Sequence, residues 1–397
     1  MALTPLPEAL ERILATAVAD PEREQVSLAA AMDRYCAEAV QADIAVPPAD
    51  NSAMDGYAVA SGDVPGTLVV SQRAPAGALP APLAAGTAAR IFTGAEIPVG
   101  ADAVILQEDA TVESDRVSLP AARPGQHIRR RGDDIRPGDE LVARGQRIRP
   151  QDIGLLASVG NDTVWVFAPL SVAVLTTGDE LREPGSGELG PGQIFNSNRL
   201  SLAAQIRSLG MNVVDMGNLP DDPGKIGEAL ERAAKAADCI VTAGGVSVGE
   251  EDHVRGQIEE RGVLDVWKLA IKPGKPLAFG QVYGTPIFGL PGNPVSAFVT
   301  FALVAKPWLI KRQGGSAAPS PRFPVKAGFS LKRPGTREEF LRVKLSGSGE
   351  AMRANLTGSQ SSAVLTSLSE ADGVAVIAPG KTVAEGDWLE VIPLSAL

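Results

Sequence analysis

Strand and helix patterns alternate through the middle third of the chain, and this alternation restricts the fold more than any other sequence feature. The run 170–176 is apolar and rich in β-branched residues, and it ends in the polar loop 177–181, as a buried strand does. Asn198 is positioned to cap a helix that continues to Leu209, with Gly210 just beyond its end. This segment therefore predicts a strand followed by a helix.

The same pair of elements repeats directly afterwards. Residues 212–216 favour a strand, and Asp222 followed by Pro223 is typical of a helix start. The apolar face of this second helix would consist of Ile226, Leu230, Ala233 and Ala237. Residues 239–242 then favour a third strand. This order predicts a three-layer αβα domain with a mostly parallel sheet, which binds ligands at the carboxyl ends of its strands.

The segments on either side of this domain have a different character. Short strand-like runs interrupted by Gly and Pro fill 47–139 and indicate an inserted β-rich domain. Residues 1–46 and 140–169 carry helical patterns and predict an elongated linking piece, while 320–397 is typical of a small β-barrel-like domain. The predicted fold class is therefore multidomain α/β plus β, with the αβα domain at 170–312.

Charge and histidine content narrow the chemistry. The formal net charge of -10 disfavours a nucleic-acid surface, because binding to many phosphates needs clustered Lys and Arg. The chain has only 2 histidines, His127 and His253, which excludes a His-rich zinc site. Acid–base chemistry would therefore depend on carboxylates and lysines.

Cysteine usage and the start of the chain indicate the compartment. Cys36 and Cys239 lie far apart and neither has a Cys-x-x-Cys partner, so a disulfide scaffold is not expected. Residues 1–14 include Glu8 and Glu11 and lack a basic segment followed by an apolar core, so no signal peptide is expected. No stretch approaches the roughly 20 apolar residues of a membrane span. We expect a cytoplasmic protein that contacts no membrane.

A glycine-rich run, Thr242 to Gly249, follows the third strand and precedes a predicted helix start at 250–252. Glycines allow backbone N–H groups to approach an anion, and a helix N-terminus favours negative charge. The spacing of the glycines matches neither the phosphate-binding loop of nucleoside triphosphatases nor the glycine motif of dinucleotide-binding folds. A ligand loop and a tight strand-to-helix turn remain equally good interpretations.

Three lysines, Lys268, Lys272 and Lys275, follow within eight residues. The last two lie in the sequence Lys-Pro-Gly-Lys-Pro, where prolines stiffen the backbone and lysines supply compact cationic donors. A solvated surface loop is the alternative, but the pattern favours binding of an oxyanion. Further along, Asn293 and Pro294 can start an apolar helix, which would place Ser296 in the first turn, where the helix dipole favours anions.

Carboxylates recur at the same predicted edge of the sheet, in Asp179, Glu180, Asp221, Asp222 and Asp252. Hard oxygen ligands beside phosphate-binding loops suggest Mg²⁺, which usually takes one or two carboxylates together with substrate phosphate. Helix capping explains Asp222 better, and Asp179 can cap its own turn. Asp221 and Asp252 are therefore the better candidate metal ligands.

Some motifs lie outside the αβα domain. Asp55 lies in the turn after Pro47-Pro48, and Thr93 ends a strand; turn formation is the default interpretation of both. Near the end of the chain, Arg337 and Arg342 and the serine turn 359–362 offer further donors to an oxyanion.

Six motifs, taken together and in order, resemble the MoeA family of molybdopterin molybdenumtransferases, which is related to the gephyrin E domain. The resemblance extends from about residue 40 to Ser362. The motifs are Met54-Asp55-Gly56-Tyr57, Phe92-Thr93-Gly94, Thr177-Gly178-Asp179-Glu180-Leu181, Gly244-Gly245-Val246-Ser247-Val248-Gly249, Lys272-Pro273-Gly274-Lys275-Pro276 and Pro291-Gly292-Asn293-Pro294.

This resemblance implies the last step of molybdenum cofactor synthesis, in which adenylylated molybdopterin and molybdate react, with Mg²⁺, to give the cofactor and AMP. Family members are elongated homodimers with the cleft between subunits, which implies that Asp55 and Thr93 reach the site from the partner subunit. A molybdopterin adenylyltransferase and apo-molybdoenzymes would be the protein partners.

The resemblance also assigns roles by motif position. Molybdate or substrate phosphate would be held by Lys272, Lys275, Ser296, Arg337 and Ser362. Glu180, Asp221 and Asp252 would bind magnesium and the adenylate. The pocket would be shaped by Lys268, Pro291 and Pro294, and its glycine loop would consist of Gly244, Gly245, Ser247 and Gly249. The expected catalytic set is Asp252, Lys268, Lys272, Lys275 and Asp55.

Two other functions remain open. A molybdopterin adenylyltransferase resembles 170–312 but characteristically has Gly-Gly-Thr-Gly where this chain has Gly-Gly-Val-Ser at 244–247, and it lacks the flanking β-domains. A gephyrin-like scaffold is the second alternative, but the residues expected for catalysis are present here.

Overall fold

A mixed six-stranded sheet forms the centre of the molecule in the computed structural model, which describes residues 3–18, 21–245 and 253–397. Its strand order is Asn212–Leu219, Ser171–Thr177, Cys239–Ala243, Thr285–Leu290, Pro276–Val282 and Gly262–Lys268. The first four strands are parallel and the last two run antiparallel to their neighbours. The prediction of a mostly parallel sheet is confirmed.

Helices cover both faces of this sheet because its central strand is apolar on both sides. Val172 and Val174 face one core, while Ala173 and Leu175 face the other. The helices are Ser197–Ser208, Pro223–Ala236, His253–Arg261, Pro294–Thr300 and Lys306–Arg312, the last two joined by one π-helical stretch, Phe301–Ala305. The predicted three-layer αβα arrangement is therefore present.

One helix start was predicted correctly and the other was not. Asp222 caps its helix by accepting a hydrogen bond from Lys225 N at 2.9 Å, with Pro223 in the first turn. The predicted cap at Asn198 is wrong, because Asn196 accepts the capping bond from Arg199 N at 3.3 Å. Asn196 is also held by Thr176 Oγ1 at 2.8 Å, which fixes the start of the helix two residues earlier.

The expectation that no stretch approaches a membrane span is wrong by length and composition alone, because the continuous helix Pro294–Arg312 is the one described helix that passes that test. Its best window is 67% buried inside the protein. Trp308 packs edge-on against Phe279 and Phe288 at 6.4 and 5.4 Å between ring centroids. These contacts identify it as the central core helix.

The β-rich part is built on a second six-stranded sheet. Its strands, in spatial order, are Ala103–Leu106, Gly56–Val59, Thr87–Ile91, Gly66–Ala74, Arg116–Leu119 and Thr111–Glu113. Asn51–Ser52 pairs separately with Ile128–Arg129. Small and β-branched side chains such as Ala88, Val59 and Ile105 fill the core of this sheet.

The linking part consists of two small antiparallel sheets and one helix. Arg23–Ser27 pairs with Thr163–Phe167, Val40–Gln41 pairs with Glu140–Val142, and the helix is Pro150–Ser158. The first helix, Leu6–Ala15, packs its apolar face into the core of the αβα domain rather than against these elements. Short elements elsewhere are Leu28–Ala30, Ser61–Asp63, Gln107–Asp109, Leu181–Arg182, Ile194–Phe195, Gly349–Ala351, Thr366–Ser369 and Leu394–Ala396.

Five strands close into a barrel at the end of the chain, as the sequence predicted. They follow one another around the ring in the order Glu338–Ser346, Arg353–Leu356, Phe323–Ala327, Trp388–Pro393 and Gly373–Ile377. The two-residue strand Ile271–Lys272 adds to the first of these in parallel, with Lys272 opposite Glu339. This pairing connects the lysine loop of the αβα domain directly to the barrel.

Candidate functional site

A cleft of about 900 Å³ opens where the carboxyl ends of the parallel strands meet the barrel. Two domains of the chain form its walls: the αβα domain contributes its strand-end loops, and the barrel contributes its serine turn. Nine of the predicted site residues line it, namely Glu180, Gly244, Lys272, Lys275, Pro291, Pro294, Ser296, Arg337 and Ser362. The location agrees with the rule that ligands bind beyond the carboxyl ends of parallel strands.

Two exposed lysines face the cleft from the Lys-Pro-Gly-Lys-Pro loop. The ammonium of Lys272 lies 3.3 and 3.4 Å from the two carboxylate oxygens of Glu339. Lys275 forms no side-chain hydrogen bond or ion pair within the described part of the chain. Gly274 is required between them, because its φ is +107° and a Cβ there would lie 2.3 Å from Thr300 Oγ1. The loop thus presents one tethered and one free cation.

Replacing Glu339 with Gln should tighten the binding of sulfate, a tetrahedral dianion, to the cleft by about threefold to tenfold. Glutamine keeps the shape and an acceptor for Lys272 but removes the negative charge that opposes an anion. Isothermal titration calorimetry would measure the dissociation constant. Glu390→Gln is the matched control, since that carboxylate pairs with Arg322 on the barrel. Unchanged or weaker sulfate binding in Glu339→Gln would contradict this view of the ion pair.

The serine turn of the barrel docks onto the start of the core helix. Val295 N donates to Ser362 O at 3.0 Å, so one free N–H of the helix start is satisfied by the turn. Asn198 Nδ2 donates to Gly292 O at 2.6 Å and holds the preceding loop. Ser296 is buried in the first helical turn and lines the cleft. Hydroxyls and a helix start therefore converge on the same space as the lysines.

A buried arginine organises this turn from below. Arg342 is 1% exposed, and its guanidinium donates to Phe340 O and Ser361 O at 3.3 and 3.2 Å. No carboxylate pairs with it among the described residues, and burial lowers its pKa from the ordinary arginine value. The expectation that Arg342 would donate to a bound oxyanion is wrong, because its donors are used by the protein. Arg337 lines the cleft instead, anchored through Ile271 O at 2.9 Å.

Carboxylates follow the ends of two neighbouring parallel strands: Asp179 and Glu180 follow one, and Asp221 follows the other. Asp179 N donates to Asp221 Oδ2 at 3.3 Å, and Asp221 N donates to Asp179 Oδ1 at 3.2 Å. Asn218 Nδ2 donates to Gly178 O at 3.1 Å and supports the same loop. Glu180 is exposed and lines the cleft. Sequence reasoning missed Asn196 and Asn218, whose only signal was a polar residue next to the end of a strand.

These carboxylates suit a magnesium ion in their chemistry. Among the residues that the structure describes, no group of three His, Cys, Asp or Glu side chains is close enough to hold a metal alone. Mg²⁺ needs only one or two carboxylates when substrate phosphates complete its shell. Glu180 lines the cleft, and Asp221 lies outside that lining on a loop that two hydrogen bonds join to Asp179, so these two carboxylates are candidate ligands.

The remaining predicted residues lie elsewhere. Lys268 ends the edge strand, and neither it nor Asp221 nor Gly245 lines the cleft. Gly245, with φ +66°, packs so tightly that a Cβ would lie 2.6 Å from Val254, which favours the tight-turn interpretation for this glycine. The predicted residues Ser247, Gly249 and Asp252 lie outside the described residues.

Asp55 and Thr93 are bonded to each other in the β-rich domain, away from the lining of their own chain's cleft. Asp55 Oδ1 accepts hydrogen bonds from Thr93 N and Thr93 Oγ1, both at 2.7 Å. The backbone bond, followed by the hydroxyl bond, lowers the pKa of Asp55 below its ordinary value. The pair thus presents a fixed carboxylate at neutral pH.

Comparison with known proteins agrees with this architecture. Family models match in three consecutive regions: the MoeA N-terminal region (domain I and II) at 4–160, a probable molybdopterin binding domain at 173–311, and the MoeA C-terminal region (domain IV) at 324–394. Molybdopterin molybdenumtransferase of Haemophilus influenzae is 40% identical over 329 residues, covering 81% of each chain. That of Nostoc sp. is 34% identical over 391 residues, covering 94% of this chain and 89% of the relative.

A solved structure shares the whole fold. The crystal structure of the molybdopterin biosynthesis MoeA protein from Pyrococcus horikoshii has a TM-score of 0.85 at 29% identity, over 99% of this chain and 100% of that one. An αβα domain with a cationic cleft, matched to a molybdopterin binding domain, defines the class: an enzyme of molybdenum cofactor biosynthesis. Within that class, the chain belongs to the MoeA family, the molybdopterin molybdenumtransferases.

Proposed function

We propose that this enzyme transfers molybdenum from molybdate to adenylylated molybdopterin, with Mg²⁺, and releases AMP. The observation that supports this most is the convergence of Lys272, Lys275 and Arg337 with the serine turn in one cleft. Three cations with hydroxyl donors suit a substrate that carries two linked phosphates and a second, separate oxyanion. The family membership of the chain supports a molybdopterin-related substrate.

The residues of the cleft would have different roles. Lys275 and Arg337 bind oxyanions, while Lys272 exchanges its contact with Glu339 for one with substrate. Ser296 and Ser362 supply hydroxyl donors that orient the anion. Bound through Glu180 and Asp221, magnesium would neutralise charge on the phosphates between which the bond is hydrolysed. Fixed cations of this kind stabilise the charge that develops on the departing AMP.

The proposal extends to assembly and location. Asp55 and Thr93 would complete the cleft of a partner subunit in a homodimer, as the family resemblance implies, and their place outside the lining of their own chain's cleft is consistent with that role. The protein would work in the cytoplasm, receiving adenylylated molybdopterin from an adenylyltransferase and passing the cofactor to apo-molybdoenzymes.

One assay tests the reaction. Purified protein mixed with adenylylated molybdopterin, Mg²⁺ and molybdate should release AMP and yield cofactor that activates an apo-molybdoenzyme. Asp252→Ala, assigned by motif position, should abolish AMP release while its circular dichroism spectrum stays unchanged. A folded Asp252→Ala variant with full magnesium-dependent turnover would remove that residue from the mechanism. Wild-type protein that releases no AMP would support the scaffold alternative instead.

A further inference from the structure

A column of two arginines and two aromatic rings lies beside the Asp55–Thr93 pair, with Arg73 exposed at one end and Tyr57 buried at the other. The guanidiniums of Arg73 and Arg90 lie 4.8 and 4.6 Å from the centroid of the Phe92 ring. Arg90 also lies 5.3 Å from the ring of Tyr57. Arg73 and Arg90 are direct neighbours on paired parallel strands, so two like charges share one aromatic ring. Such a pair is repulsive in itself, and the ring offsets part of that repulsion.

The two arginines differ in what they bind. Arg90 Nη1 donates to Gly56 O at 2.8 Å and to Ile91 O at 3.0 Å, and its Nη2 donates to Gln107 Oε1 at 2.5 Å. It therefore clamps together the turns that carry Asp55 and Thr93. Arg73 is exposed and lies over the Phe92 ring, and its side chain forms no hydrogen bond or ion pair within 3–18, 21–245 and 253–397. Its hydrogen-bond donors are thus free for a ligand.

The position of Arg73 makes an anion the fitting ligand. Phe92 immediately precedes Thr93, so Arg73 stacks on the turn that presents the Asp55–Thr93 pair. Asp55 already occupies both the N–H and the hydroxyl of Thr93, which leaves this turn without a free donor from that residue. A guanidinium held over an aromatic ring is restricted before it binds, and its planar fork suits a two-point bond to phosphate.

We propose that Arg73 binds a phosphate group of the substrate in the cleft of the partner subunit. This inference rests on the proposed function, which brings the Asp55–Thr93 turn to that cleft. Arg73 would add a guanidinium from the second chain to the cations already present in the first. It would act on substrate binding, whereas Arg90 positions the turn and has no direct contact with substrate.

Arg73→Gln removes the charge and should raise the KM for adenylylated molybdopterin by about 10- to 100-fold, the effect of losing a charge-assisted two-point hydrogen bond. The KM for molybdate and the melting temperature should stay unchanged. Arg73→Lys keeps the charge but loses the planar fork, so its KM should be intermediate. Arg116→Gln is the matched control, an exposed arginine on the same sheet.

Binding of AMP to each variant identifies which phosphate is held. An AMP dissociation constant that rises with the KM assigns Arg73 to the nucleotide phosphate. A raised KM with unchanged AMP binding assigns it to the phosphate of the pterin half. An unchanged KM in Arg73→Gln, or an equal rise in Arg116→Gln, overturns the inference while wild-type AMP release keeps the proposed function intact. Absence of AMP release by the wild type would overturn both.

Discussion

Lys272→Gln should lower kcat/KM for AMP release by about 100-fold or more, since removing one fixed donor to a developing oxyanion commonly has an effect of that size. The lysine lines the cleft on a loop in which Gly274 packs closely against Thr300. The glutamine side chain is polar and somewhat shorter than that of lysine, but it carries no positive charge to neutralise a phosphate. Initial rates of AMP release over a range of substrate concentrations measure the effect.

Stability should not change in the same variant. The Lys272 side chain is 49% exposed, and its single ion pair contributes little to the free energy of unfolding. Lys381→Gln, an exposed lysine on the barrel, is the matched control and should retain full activity. If Lys272→Gln kept its rate within a factor of about three, the lysine would have no role in the transition state.

The αβα core could be predicted from sequence because its signals are local. The central strand is apolar at every position from Val172 to Leu175, which only a sheet covered on both faces requires. Asp222-Pro223 combines two independent helix-start signals and was correct. Asn196, two residues before Asn198, is an equally suitable cap by sequence. Its hydrogen bond to Thr176 in the sheet places the helix start there. The choice between equivalent local signals is therefore made by tertiary contacts.

The cleft could be predicted in part for a similar reason. Strand-end loops of a parallel sheet meet at one edge, so Glu180, Gly244 and the lysines could be grouped before any coordinates were known. Glu339 could not, because its contact with Lys272 depends on a strand pairing between the αβα domain and the barrel. Nor does sequence distinguish the buried Arg342 from Arg337, which lines the cleft, although both lie near the same strand.

The Asp55–Thr93 pair raises the remaining question of which chain's cleft it serves. The two residues bond to each other, and neither lines its own chain's cleft. Within its own chain the Asp55 carboxylate holds the Thr93 turn and does not reach the cleft. A two-fold dimer would let it serve the cleft of the partner subunit, because such symmetry presents the same surface of each chain to the other.

Mixed dimers, each built from two different chains, test this arrangement through a large expected change in activity. A dimer of one Asp55→Asn chain and one Lys272→Gln chain should recover about half of the wild-type activity, since two-fold symmetry leaves one intact cleft. Each variant alone should be nearly inactive. An asparagine at position 55 retains the Oδ1 atom that accepts the hydrogen bonds from Thr93, so the conformation of the turn should not change. Chains carrying two different affinity tags allow the mixed dimer to be purified and assayed.

The reciprocal dimer decides between the two arrangements. One wild-type chain paired with a chain carrying both substitutions has no intact cleft if Asp55 acts across the interface, so it should be nearly inactive. If Asp55 acted within its own chain, this dimer would instead recover about half of the activity, and the first mixed dimer would recover none. Because the two dimers contain the same substitutions in equal number, any difference in activity between them reports only which chain supplies Asp55 to the cleft that contains Lys272.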